Sequence, residues 1–202
     1  MNSNKFKLQG KTYYAGRILK NLQHWYDINQ NNGHNWYTDA NNFARQLSDK
    51  YDVHINQAAG IISALSPQKT WSENIKLANS FLSGKHTGHF RNQIKKAEQI
   101  LLTDNKAEIC AILHGLKTVN FFLNILLDPD AVTVDRHIIK AGLGKLPDAG
   151  ITERQYLIIE KQLRIVVKNA KADPAKVQAV IWSNIRDAET AAHHRIEPDC
   201  PF

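Results

Sequence analysis

The chain has 202 residues, enough for one large domain or two lobes sharing a core, and a hydrophobic content of 43% argues against disorder. A net charge of +7 favours a polyanionic partner but does not distinguish nucleic acid from a membrane surface. Two cysteines, Cys110 and Cys200, exclude a disulfide framework, a four-cysteine zinc site and an iron–sulfur cluster.

The first residues, MNSNKFKLQGKTYY, have no apolar core and do not read as a signal peptide. The longest apolar stretch, Val119 to Leu127, is short and broken by Asn120 and Asn124, so no membrane span is expected. Together these point to a soluble protein of the cytoplasm, the host cytoplasm if the chain is viral.

Helical periodicity runs through almost every segment. Ile18, Leu22 and Trp25 share one face of a first helix, and Ala40, Phe43, Ala44, Leu47 and Tyr51 share a face of a second that starts near Trp36. The Asn-rich stretch Asn29 to Asn35, with Gly33, is a loop between them. Ile55 to Leu65 is small and apolar on most sides, which predicts a central, closely packed helix. Ser66-Pro67 ends it, because a residue before proline is pushed out of helical geometry.

Trp71, Ile75, Ala78 and Phe81 mark a fourth helix, and Gly84 to Gly88 a loop. Phe90, Ile94, Ala97 and Leu101 mark a fifth, with Arg91, Lys95 and Lys96 on its other faces. Asn105 to Leu113 and Lys117 to Leu127 follow as the sixth and seventh, and Asp135 starts the eighth. Ala141 to Gly150, with three glycines and a proline, reads as a loop. Thr152 with Gln155 forms a capping box for a helix along Tyr156, Ile159, Leu163 and Val166. Asp173-Pro174 opens a last helix with Val177, Val180, Ile181 and Ile185 inside, and the tail from His193 reads as loose. No run alternates with period two for long enough to be read as a strand, so the class is all-α. Cys110 fits an apolar helical pattern as a buried small hydrophobe. His86 and His89 have a metal-like gap but no acid or cysteine nearby, and no metal site or cofactor is expected.

The organising stretch is Leu113 to Lys140. Lys117 follows Gly115 and precedes an apolar helix; Asp128-Pro129-Asp130 makes a turn; Asp135 then stands beside Arg136 and His137, eighteen positions after Lys117. Alone, such a lysine is usually solvated and such an aspartate is usually an N-cap. As a pair, an amine and a carboxylate suit imine-forming chemistry on a sugar, the carboxylate meeting developing positive charge.

This stretch resembles the helix-hairpin-helix DNA glycosylase superfamily, the endonuclease III-like enzymes. Gly115-Leu116-Lys117-Thr118 and Val134-Asp135-Arg136-His137 stand where the family has a hairpin ending in Gly-x-Lys-Thr and a Val-Asp-Thr-His. The lysine-to-aspartate spacing matches without a gap, and KTVNFFLN resembles Lys-Thr-Ala-Asn-Val-Val-Leu-Asn. The resemblance extends over roughly residues 54 to 190. IISALSPQKTWSEN resembles the Leu-Leu-Ser-Ala-Gln segment and the helix after it, and AVIWSNIR resembles the C-terminal helix. A set of phage-encoded proteins shares the SPQ, Trp, Asn and VTVDRH elements.

The resemblance implies a two-lobed helical fold with an active-site cleft between a central lobe, about residues 54 to 134, and a second lobe built from the N-terminal helices and about residues 135 to 190. It implies a DNA partner bound by a monomer, with the target base turned out of the duplex. Asp135 would stabilise positive charge on the deoxyribose; Lys117 would attack the sugar carbon and form a Schiff base. An attacking amine must be neutral, and both a helix N-terminus and burial disfavour the ammonium. Gln68 would reach into the stack with Trp71 in support, and Lys69, Gly115, Arg136 and His137 would contact DNA. The sequence departs from the family at three places: Ala111-Ile112-Leu113-His114-Gly115 lacks the hairpin's first glycine, the four-cysteine cluster is absent, and Arg136 replaces Thr. Two other readings stay open: a phage-type enzyme that modifies a base on the same fold, and a non-catalytic DNA-binding protein.

Overall fold

A computed structural model describes residues 4–33, 35–85 and 88–196, with the side chains of residues 192–196 left aside. Its elements are β1 (Lys5–Leu8), β2 (Lys11–Tyr14), α1 (Ala15–Ile28), α2 (Trp36–Tyr51), α3 (Ile55–Leu65), α4 (Trp71–Leu82), α5 (Arg91–Ile100), α6 (Lys106–Leu113), α7 (Leu116–Ile125), α8 (Arg136–Leu143), α9 (Glu153–Ala170) and α10 (Pro174–Ile196). The chain is mostly helical, in line with the periodicity, and the elements group into two compact units. One comprises residues 1–36 and 134–202, the other residues 37–133.

In the first unit, the β1–β2 hairpin is the element that periodicity misses. Each strand has four residues, too few for alternation to stand out. The hairpin closes through Gln9 and Gly10, whose φ values of 49° and 74° are both positive. That is the two-residue loop whose twist matches paired strands. Phe6 faces Tyr13 across the ladder, and their buried rings stack at 5.6 Å.

Helix α1 packs against α8, α9 and α10, burying Ile18 and Leu22. The loop expected from Ala141 begins only at Gly144, because Gly142 is a packing residue. A Cβ there would lie 3.1 Å from Ile18 Cγ2, and Asn21 Nδ2 donates to the Gly142 carbonyl at 2.8 Å. The helix continues so that α1 can approach closely, and then stops at left-handed Gly144.

The capping box expected at α9 is present: Gln155 N–H reaches Thr152 Oγ1 at 3.3 Å, and Thr152 N–H reaches Gln155 Oε1 at 2.8 Å. Asp173 caps α10 by accepting from Ala175 N–H at 2.8 Å. Tyr156, Ile159, Leu163 and Val166 of α9 are buried, as are Val177, Val180, Ile181 and Ile185 of α10. Helix α10 continues through His193 to Ile196 rather than ending before it; Ala188, Ala191 and Ala192 favour helix. The remainder of the expected tail, and Cys200, lie outside the described residues.

Gly33 sets up a stability prediction. Its φ is +69°, and a Cβ there would lie 2.0 Å from Ser183 Oγ and 3.2 Å from the Ala179 carbonyl. Left-handed backbone costs a residue with a Cβ about 1–2 kcal/mol, and overpacking typically adds about 1–3 kcal/mol. Gly33→Ala therefore lowers the urea unfolding midpoint markedly; a midpoint equal to wild type would refute this packing.

In the second unit, α3 is central. All residues from Ala58 to Leu65 are buried. Its small residues let neighbours close in: a Cβ on Gly60 would lie 2.9 Å from Ile109 Cγ2 and 3.1 Å from Ile100 Cγ2. Buried asparagines tie the other helices to carbonyls, with Asn41 Nδ2 on Ile125 at 2.8 Å and Asn74 Nδ2 on Ile62 at 3.1 Å. Phe90, expected on the inner face of α5, is instead the exposed residue at its N-cap. Leu127 is also outside α7, exposed and left-handed at φ 58°. Cys110 is half-buried rather than fully buried, and desolvation pushes its thiol pKa up.

Candidate functional site

In the second unit, α6 and α7 are joined by only two residues, His114 and Gly115. Both have positive φ, 49° and 96°, and both are exposed. Leu113, where the resemblance to the helix-hairpin-helix enzymes would call for a first hairpin glycine, is helical and buried. The turn therefore forms without that glycine, and left-handed backbone falls on His114, a residue with a Cβ. Such a conformation costs about 1–3 kcal/mol unless its surroundings hold it. They do: Thr118 Oγ1 donates to the His114 and Gly115 carbonyls at 3.0 and 3.1 Å, His114 N–H bonds Cys110 O at 3.1 Å, and the Lys96 ammonium donates to Leu113 O. Lys96 is a positioning residue that the sequence does not single out, because a lysine on a basic helix looks solvated.

Lys117 is the second residue of α7, and it is exposed; the burial expected around it is absent. The reason is local, since His114, Gly115 and Lys117 all turn outward while Phe122 and Ile125 carry the buried face. The start of α7 has no side-chain cap and no acid in its first turn. Its first N–H groups and the Lys117 ammonium thus present positive charge on one exposed end.

Gln68 lies on a turn closed by Lys69 N–H to Ser66 O at 3.1 Å, with Pro67 second and Gln68 third at φ 61°. Position three of this turn type requires positive φ and ordinarily holds Gly or Asn. Gln68 is exposed and carries that strain, and Lys69 is half-buried beside it. Ser63 Oγ donates to Thr118 O at 2.7 Å, which fixes the turn-bearing end of α3 against the first turn of α7. Gln68, Lys69, Gly115 and Lys117 thus sit on linked segments of one unit. Trp71 packs edge-on against Phe43 at 6.0 Å, a packing role. His89 has its pKa lowered, by burial first and then by the Lys69 charge; His86 lies outside the described residues. Among those residues no group of three His, Cys, Asp or Glu side chains could hold a metal ion.

Asp135, Arg136 and His137 belong to the first unit, at the start of α8. Asp135 is the N-cap: its Oδ1 accepts from His137 N–H at 3.0 Å and Ile138 N–H at 2.9 Å. Cap bonding accounts for one carboxylate oxygen; Oδ2 makes no hydrogen bond among the described residues. Arg136 is exposed, and its Nε donates to His137 Nε2 at 3.2 Å. His137 Nδ1 lies 3.5 Å from Glu189 Oε2, whose other oxygen holds Lys140 at 2.5 Å. The imidazole meets Trp182 edge-on at 5.8 Å; Trp36 packs on Trp182 at 5.6 Å, and the Arg186 guanidinium lies 4.5 Å from the Trp182 ring centre. Sequence patterning missed Trp182, Arg186 and Glu189, whose spacing along α10 also fits an ordinary half-solvated face.

Burial lowers the His137 pKa below the usual 6.5; Asp135 and Glu189 oppose the shift, and Arg136 and Arg186 add to it. The unfolded chain then takes up a proton before the folded one does, so stability is full above the ordinary value and falls as pH drops through it towards the folded value. His89 contributes with the same sign. The urea midpoint is expected to decline as pH falls through that window, with His137→Gln reducing but not removing the decline. A His137→Gln profile superimposable on wild type would contradict the coupling.

No described helix is long and apolar enough to cross a membrane. These elements define a mostly helical protein with two helices joined by a tight turn and an aspartate-capped helix further along the chain. Residues 2–189 match the family of unknown function DUF7178, and the chain belongs to that family. No curated protein and no solved structure matches the chain.

Proposed function

We propose that the protein is a DNA glycosylase acting on a damaged or modified base, with Lys117 as its Schiff-base nucleophile. The observation that carries this reading is the exposed, uncapped start of α7, where Lys117 follows a two-residue turn held by Thr118 and Lys96. Backbone N–H groups at such a turn suit a DNA phosphate. The neutral form of the Lys117 amine attacks C1′ of the flipped nucleotide, the N-glycosidic bond breaks, the base leaves with the proton shed by the attacking nitrogen, and opening of the C1′–O4′ bond gives the Schiff base. The resemblance gives Asp135, whose Oδ2 lies outside its cap bonds, the role of meeting the positive charge that grows on the sugar. Gln68 enters the space the base leaves.

The N-cap role of Asp135 favours a second reading, DNA binding without catalysis, because capping alone accounts for an acid there. Incubation with a panel of duplexes carrying damaged or modified bases separates the readings. Release of free base from at least one duplex is expected. Binding without release supports the second reading, and a base altered while still in the strand supports base modification on the same scaffold.

A further inference from the structure

Side chains alternate between the two faces of the β1–β2 hairpin. Phe6 and Tyr13 occupy the buried face; Lys5 opposite Tyr14, and Lys7 opposite Thr12, occupy the other. With Thr152 and Arg154 from the start of α9, this polar face lines a cavity of about 370 Å³. Gln155 fixes its floor: while its Oε1 accepts from Thr152 N–H, its Nε2 donates to Lys7 O at 3.0 Å, so strand and helix are held in one register.

Lys5, Lys7 and Arg154 converge on this space with no acid in its lining. None of the three forms an ion pair among the described residues. Cations gathered around a cavity repel one another, and an anion entering it relieves that repulsion. The Thr12 and Thr152 hydroxyls add donors suited to phosphate oxygens. Tyr14, 57% exposed, offers a ring face beside the cations. A basic groove next to an exposed aromatic is the arrangement that tracks a nucleic-acid backbone while stacking a base.

We propose that this cavity binds the phosphate backbone of a single-stranded nucleic-acid segment, with one base stacked on Tyr14. The proposal rests on nucleic acid being the partner, and it does not depend on the chemistry of Lys117 and Asp135. An anionic lipid surface fits less well, because of the two rings in the lining Phe6 is buried and Tyr14 alone is exposed for insertion.

The test is fluorescence anisotropy of the full chain with a labelled thymidine oligonucleotide across a salt series. In the variant Lys5→Gln, Lys7→Gln, Arg154→Gln, all three side chains are exposed, so the fold should persist, as circular dichroism will show. Affinity at low salt should fall at least about tenfold, and the slope of log K against log salt should flatten by about 0.7 for each phosphate left without its cation. Tyr14→Ala should weaken binding at least about fivefold, and Tyr14→Phe should restore it. A control that removes equal charge elsewhere, Lys161→Gln, Lys168→Gln, Lys176→Gln, should leave affinity within about threefold of wild type and the slope nearly unchanged.

A wild-type slope and affinity in the triple variant would overturn the proposal. So would a control variant that loses as much, or a triple variant that loses binding only to phosphatidylserine vesicles. The readout is independent of base release and covalent trapping, so a flattened slope supports the site even if the wild type releases no base.

Discussion

On the glycosylase proposal, Lys117→Ala is expected to abolish borohydride trapping and strand nicking while leaving the protein folded and bound to DNA. Lys117 is exposed in the first turn of α7, and its side chain makes no hydrogen bond among the described residues. Its removal leaves no cavity, and alanine is the better helix former, so stability should stay within about 0.5 kcal/mol of wild type. Trapping requires a primary amine on the sugar carbon, so the covalent product should vanish rather than diminish. DNA binding loses at most one phosphate contact, which should shallow the duplex salt slope by no more than about 0.9. Covalent product at the wild-type level in Lys117→Ala would remove this lysine from the mechanism.

The second large effect is at Asp135, where the cap and the chemistry can be separated. Asn caps a helix about as well as Asp, so Asp135→Asn should keep both N–H bonds, to His137 and Ile138, and unfold like wild type. It also lacks the negative charge that the proposed transition state would need, so on that proposal base release should slow by about 10²–10³-fold. Asp135→Ala should lose the charge and the cap together, adding roughly 1 kcal/mol of instability. Wild-type turnover in a stable Asp135→Asn protein would leave the residue as a cap and nothing more.

What the sequence revealed of this molecule depended on the length of the pattern. Helices with three or more inward residues were readable, as were ends with explicit chemistry: Thr152 with Gln155, Asp173 before Pro174, and Asp135 before α8. Four-residue strands carry too little alternation to stand out, so the β1–β2 hairpin and its cationic face went unseen. Gly142 looked like a loop residue because its reason for being small lies on α1, more than a hundred positions away. The box that caps α3 was hidden because histidine, at His54, takes the capping place.

The candidate site divides the same way. Motif and spacing single out Lys117, Asp135 and Gln68 as candidates, but they do not reveal the surroundings of these residues. Only the folded chain shows that Lys117 is exposed, that Gln68 and His114 hold left-handed backbone, and that Lys96 steadies the turn before α7. The cluster of His137, Trp182, Arg186 and Glu189 joins α8 to α10 through packing that no local pattern encodes.

The central claim is that the Lys117 amine reaches the sugar carbon of a flipped nucleotide. The measurement that tests it most directly is borohydride reduction of the wild-type protein on the duplex that releases base, followed by mass spectrometry of the cross-linked peptide. The account predicts a stable adduct on Lys117, absent from Lys117→Ala. An adduct on another amine, or base release with no adduct at all, would contradict it.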